Sequence, residues 1–87
     1  MSETAEARLK RLSMRSWRRG TKEMDMILGP YSDACLAGLS DAQLDAYDRL
    51  LEENDQDLYQ WVSGQADPPD GVAAVIADLR DFLARRG

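Results

Sequence analysis

The 87-residue chain has no histidine and a single cysteine, Cys35. Without histidine there is no usual general base, no commonest metal ligand and no usual partner for a serine or cysteine nucleophile. With one cysteine there is no internal disulfide framework and no cysteine-only metal site. No run of about 18 apolar residues is present, so no membrane span is expected. The first residues, MSETAEARLKRL, have no apolar core of the kind a secretory signal carries, and Glu3 and Glu6 are unlike a mitochondrial presequence. A bacterial cytoplasmic protein is therefore expected, with the mitochondrial matrix disfavoured. Proline is scarce too. Its three copies stand at Pro30 and in the QADPPDG stretch of residues 65–71.

What is present is helical in pattern. Apolar residues make up 44% of the chain and charged residues 31%, which suits a small globular domain. The sequence predicts five helices and no strand, hence an all-α compact five-helix bundle forming one domain over residues 1–87. The first spans about 4–17, with Leu9, Leu12, Ser16 and Trp17 on one face. The second spans about 21–39, with Met24, Ile27, Leu28, Tyr31, Cys35 and Leu39 as its buried stripe. Gly29-Pro30 predicts a kink or short break within it. Ser40 and Gln43 form a capping box for the third helix, which turns Leu44, Tyr47, Leu50 and Leu51 inward. Asp55 is read as the cap of a fourth helix bearing Leu58, Trp61 and Val62 and stopping at Gly64. After the loop at 65–71, Val72, Val75, Ile76, Leu79 and Phe82 line a fifth.

Charge is unevenly placed. Residues 1–22 carry a net +5, residues 23–66 a net −9 and the rest −1, for a total of −5. The acidic total, with no aromatic platform beside the basic segment, excludes nucleic acid as a partner. The basic segment alone suits an anionic surface.

The densest cluster is RSWRRGTKEMD, residues 15–25. One reading is local. Gly20 caps the second helix, Glu23 sits at its third position, Trp17 is core and the arginines are solvated. The other is a partner surface. Arg19 offers a planar five-donor fork, Gly20 admits a close approach and Glu23 supplies an acceptor on the same side. Arginine and tryptophan also recur at interface hot spots.

These residues are recognisable. The chain resembles the SdhE family of flavinylation factors for succinate dehydrogenase. The resemblance rests on Arg-Gly-x-x-Glu at Arg19, Gly20 and Glu23, and on Asp-x-Asp-Leu-aromatic-x-Trp at Asp55, Asp57, Leu58, Tyr59 and Trp61. It runs over about residues 8–65. It implies a five-helix fold and an assembly factor rather than an enzyme. Such a factor acts with the flavoprotein subunit of succinate dehydrogenase, or in some bacteria of fumarate reductase, to promote covalent FAD attachment to a client histidine. It implies a client surface centred on Arg19, Gly20 and Glu23, to which Arg18, Trp17 and Asp25 are added as neighbours. Asp55, Asp57 and Trp61 are taken as frame. No stably bound cofactor, no metal and a monomer are expected. A side chain added at Gly20 is expected to block a partner while leaving the bundle folded. The alternative function is an antitoxin-like regulator of a small membrane toxin.

Overall fold

Helix boundaries follow from caps that satisfy the free amides of each first turn. The computed structural model describes residues 3–86. α1 (Ala5–Ser16) is capped by the Thr4 hydroxyl, which accepts from the Ala7 amide. α2 (Lys22–Cys35) is capped by Thr21 and passes into a short 3-10 turn at Leu36–Gly38. α3 (Asp41–Leu50) has the anticipated capping box of Ser40 and Gln43. α4 (Asp55–Ser63) is capped by Asn54 and ends at Gly64, whose φ of 85° places it in the left-handed region where glycine is favoured. α5 (Asp70–Arg86) closes the chain, with Arg85 and Arg86 at its negative end. No strand occurs among the described residues.

Three local expectations are corrected. Gly20 is not the cap of α2, because Thr21 beside it has a hydroxyl that accepts from the Met24 amide; Glu23 therefore stands at the second helical position. Asp55 is not the cap of α4, because its carboxylate is held by an arginine and Asn54 takes the capping role. Pro30 does not break α2, which runs unbroken through it.

α1 and α2 form an antiparallel pair, since Ser13 meets Ser32 and Trp17 lies over Gly29. α5 packs on α3 and α4, and α2 also meets α4 and α5. The core runs through all of them: Leu12 from α1, Met24, Leu28 and Tyr31 from α2, Tyr47 and Leu50 from α3, Leu58 from α4, and Ile76 and Leu79 from α5. Leu36, absent from the expected stripe, is buried as well, because the 3-10 turn rotates it inward. Tyr31 sits between Tyr47 (ring centroids 5.7 Å apart, tilted) and Phe82 (5.6 Å, edge-on). The tilted and edge-on arrangements are the ones aromatic quadrupoles favour. The radius of gyration, 12.2 Å, is close to the ~12 Å expected of a compact chain this long.

Two polar contacts enter this core. The Tyr47 hydroxyl pairs with the buried Ser16 hydroxyl, which also donates to the Leu12 carbonyl. The Tyr31 hydroxyl donates to Asp78 at 2.7 Å. Burial pushes the Tyr47 phenol up to about 12. Burial, then the hydrogen bond to Asp78, pushes Tyr31 above the usual tyrosine range. The folded state thus favours both neutral phenols. Their contribution is complete below about pH 10, where an unfolded tyrosine begins to ionise; that of Tyr47 is lost as pH rises through about 12, and that of Tyr31 at still higher pH.

Two predictions follow from this packing. A Cβ on Gly29 would lie 2.4–2.5 Å from the Trp17 ring, so Gly29→Ala must lift the ring. Gly29→Ala is expected to lower the unfolding free energy by roughly 1–3 kcal/mol, against a helix-propensity gain of up to about 1. In a Trp17→Ala background the same change should instead be neutral or stabilising; urea unfolding of the four proteins checks this. Second, Tyr47→Phe should cost about 1 kcal/mol at pH 7 and give a shallower loss of stability between pH 10 and 12 than the parent. Unfolding curves across that range measure both effects.

Candidate functional site

Arg19 lies in the loop between α1 and α2, yet its side chain is only 11% exposed. The guanidinium turns inward to the junction of α3 and α4. Its Nε donates to Asp55 Oδ1 at 2.8 Å, Nη1 to the Leu51 carbonyl at 2.7 Å and Nη2 to the Glu53 carbonyl at 2.6 Å. Those carbonyls belong to the end of α3 and the turn after it, where backbone acceptors lack helical partners and a cation is favourable. Asp55 opens α4, where a carboxylate is favourable for the opposite reason. One planar fork therefore satisfies the end of one helix and pairs with the start of the next. A lysine, with a point charge on a flexible stem, does not match that geometry. The backbone amide of Arg19 is taken by the Asp25 carboxylate of α2. Groups from α2, the α3–α4 turn and α4 thus converge on one residue.

Gly20 lies directly over this pair. A Cβ there would be 2.9 Å from Asp55 Oδ2. A side chain at Gly20 would press on the carboxylate that Arg19 holds, so a substitution there bears on this intrachain pair as well as on any partner.

The six anticipated surface residues therefore separate. Glu23 is exposed at the start of α2. Arg18 is exposed and lines a shallow groove with Arg11, Met14, Arg15 and Arg19. Trp17 is not core. It is 41% exposed, covers Gly29 and donates from its indole to Asp33 at 3.3 Å. Arg19 and Asp25 are half-buried and engaged with each other and with α3 and α4. Arg19 and Glu23 consequently do not present a joint donor–acceptor face.

Glu23 instead faces α4. Together with Asp55, Gln56, Tyr59, Gln60 and Gln65 it lines an open groove, and Thr21 stands at its edge. Tyr59 is 45% exposed, so its ring is open to a partner. Gln56, Tyr59 and Gln60 were not singled out as site residues from sequence. The only signal was the second motif, read as frame, which places Tyr59 one turn beyond Asp55. Of that motif, Leu58 and Trp61 pack inward.

The other arginines of α1 are not free either. Arg8 pairs with Asp45, Arg11 with Asp48 at 3.0 Å, and Arg15 with Asp48 and Glu52 at 3.3 Å each. The Arg11 hydrogen bond holds the Asp48 carboxyl below the usual carboxylate range. The steps 8, 11, 15 and 45, 48, 52 rise together, so α1 and α3 run parallel. The anionic surface that the basic segment suits is this chain's own α3.

No helix among the described residues is long and apolar enough to cross a membrane.

The comparisons with known proteins agree with the motifs. Residues 10–83 match the family model described as flavinator of succinate dehydrogenase. A protein of Meyerozyma guilliermondii named succinate dehydrogenase assembly factor 2, mitochondrial, is 43% identical over 65 residues, covering 75% of this chain and 48% of the relative. The protein of the same name in Caenorhabditis elegans is 35% identical over 85 residues, covering 93% and 71%. The FAD assembly factor SdhE of Legionella pneumophila is 33% identical over 64 residues, covering 74% and 81%. The chain spans half or less of the length of several fungal relatives, 48% in M. guilliermondii and 21% in Aspergillus terreus. The expectation of a bacterial cytoplasmic protein is overturned. Relatives from fungi and a nematode are named mitochondrial, pointing to the mitochondrion instead, and the absence of leader features at the start of a sequence was no sound basis for it. With the motifs, the helical fold and a match spanning residues 10–83 in agreement, the chain belongs to the family of flavinators of succinate dehydrogenase.

Proposed function

We propose that this protein is an assembly factor that binds the flavoprotein subunit of succinate dehydrogenase and promotes covalent attachment of FAD to it. The observation that carries this reading is the family match across residues 10–83. The reading gives the chain no catalytic constellation, no flavin of its own and a monomeric state. With no histidine in the sequence, the chemistry belongs to the client, and the factor contributes position. Orienting reactants is a large lever in such a step, worth roughly 7–11 kcal/mol at its extreme.

The surface assigned to the client is the exposed side of the motif: Gly20, Glu23, Arg18 and Trp17, continued onto α4 by Tyr59. Arg19 and Asp25 act beneath it as the residues that hold it in place. The two halves of the motif then fail differently. Arg19→Ala leaves the Asp55 carboxylate and two carbonyls without their donor. It is expected to lower the unfolding free energy by roughly 3–5 kcal/mol, a large part of the stability of so small a domain. Flavinylation should fall with the folded fraction. Glu23→Gln should leave the unfolding free energy within about 0.5 kcal/mol of the parent and still reduce flavinylation.

The direct test produces the succinate dehydrogenase flavoprotein subunit with and without this protein. Flavin fluorescence is then read in the denatured client band. A band that depends on the protein and weakens with Glu23→Gln is the expected result. Equal bands in both lanes would refute the reading.

A further inference from the structure

The groove beside the motif has a composition that selects its occupant. Its charged side chains are Glu23 and Asp55, and no cation lines it. Asp55 is compensated by Arg19 through Oδ1. No hydrogen bond or ion pair engages the Glu23 side chain among the described residues. Gln56, Gln60 and Gln65 add amide oxygens, and Tyr59 offers an exposed ring.

The opposing positive charge can be counted. The starts of α2 and α4 contribute about half a positive charge each. Arg19 and Lys22 add two positive charges, while Glu23, Asp25, Asp55 and Asp57 supply four negative ones. The balance remains about one negative charge, located at Glu23.

We propose that this groove takes an arginine side chain of the client protein, an inference that rests on the assembly-factor reading above. A guanidinium has five donors in a plane and needs several acceptors around it, which Glu23 and the three glutamines provide. Its flat face stacks on tyrosine, where arginine is the cation most often found. A lysine would reach Glu23 and leave the amide oxygens and the ring largely unused. The arrangement gives the motif a polarity. Its arginine is consumed inside the fold, and its glutamate receives the same chemical group from outside.

Two titrations of the full chain test this. In the first, isotope-labelled protein is titrated with N-acetyl-arginine amide and separately with N-acetyl-lysine amide. Amide resonances of residues 21–23, 55–60 and 65 are followed. Saturable shifts at about millimolar arginine, at least about threefold weaker for lysine and lost in Glu23→Gln and Tyr59→Leu, are expected. No response at those residues, or an equal response to lysine, overturns the proposal.

In the second, binding of the succinate dehydrogenase flavoprotein subunit is measured for the parent and for Glu23→Gln, with each surface arginine of the client replaced by glutamine in turn. Glu23→Gln should weaken binding about tenfold. One client substitution should do the same, and the two together should cost no more than either alone. If the parent binds the client but no arginine behaves so, the arginine assignment is wrong and the assembly-factor reading stands. If the parent does not bind the client at all, the assembly-factor reading falls, and the assignment of the arginine to that client falls with it.

Discussion

Arg19 is the residue on which the arrangement of this protein depends. Its loop has little apolar area with which to fasten itself to the rest of the bundle. Three donors of one guanidinium do that instead, ending on Asp55 and on the Leu51 and Glu53 carbonyls. A buried ion pair of this kind is costly to desolvate and adds modest net stability compared with well-packed apolar residues. What it supplies is direction. The acceptors fix where the α1–α2 loop stands relative to the α3–α4 junction, and Gly20 and Glu23 inherit their positions from that placement. The motif is therefore two devices in series, an internal anchor followed by an exposed carboxylate.

The same logic extends along α1. A net charge of +5 over residues 1–22 and −9 over residues 23–66 looks like a chain built to meet a partner. The fold spends most of that asymmetry on itself, with Arg8, Arg11 and Arg15 stepping along Asp45, Asp48 and Glu52. Half-exposed pairs of this sort are weak individually. Nor do they fix register alone, since charges spaced by one turn on both helices could re-pair after a one-turn slip. Such a slip would, however, separate Ser16 from Tyr47, whose buried hydroxyls pair with each other. Glu23 is not among the residues these pairs engage.

Much of this was legible in the sequence, and the rest was illegible for identifiable reasons. Apolar periodicity located all five helices, because burial of a stripe is a local property repeated every turn. Ser40 with Gln43, and Gly64, were readable as helix ends, because each signal is complete within four residues. The caps of α2 and α4 were each misplaced by one residue. In both cases two neighbours were eligible. At α2 the Thr21 hydroxyl took the role over Gly20; at α4 a distant contact decided, since Asp55 was already held by Arg19 and Asn54 remained. Trp17 had two readings, core by its spacing on the α1 stripe or part of the surface beside the motif. It lies at the C-terminal cap, where it covers Gly29 and stays half in water. The inward turn of Arg19 left no mark in its own neighbourhood, since its acceptors lie 32 to 36 residues away.

That distance bears on how the proposed site would work. Glu23 stands on α2 and Tyr59 on α4, and the loop containing Arg19 and Gly20 joins the start of the first to the start of the second. A partner group held between them would meet a gap whose width is set by the Arg19–Asp55 contact rather than by the partner. Preorganisation of this kind lowers the ordering cost of binding, and a factor whose task is to position another protein gains most from it. A glycine at position 20 fits the same requirement from the other side. It lets the loop settle onto Asp55 to within a distance no side chain would allow, and it leaves no Cβ to prop the gap open. The anchor and the groove thus share Asp55, which Gly20 approaches from the loop and which lines the opening beside Glu23.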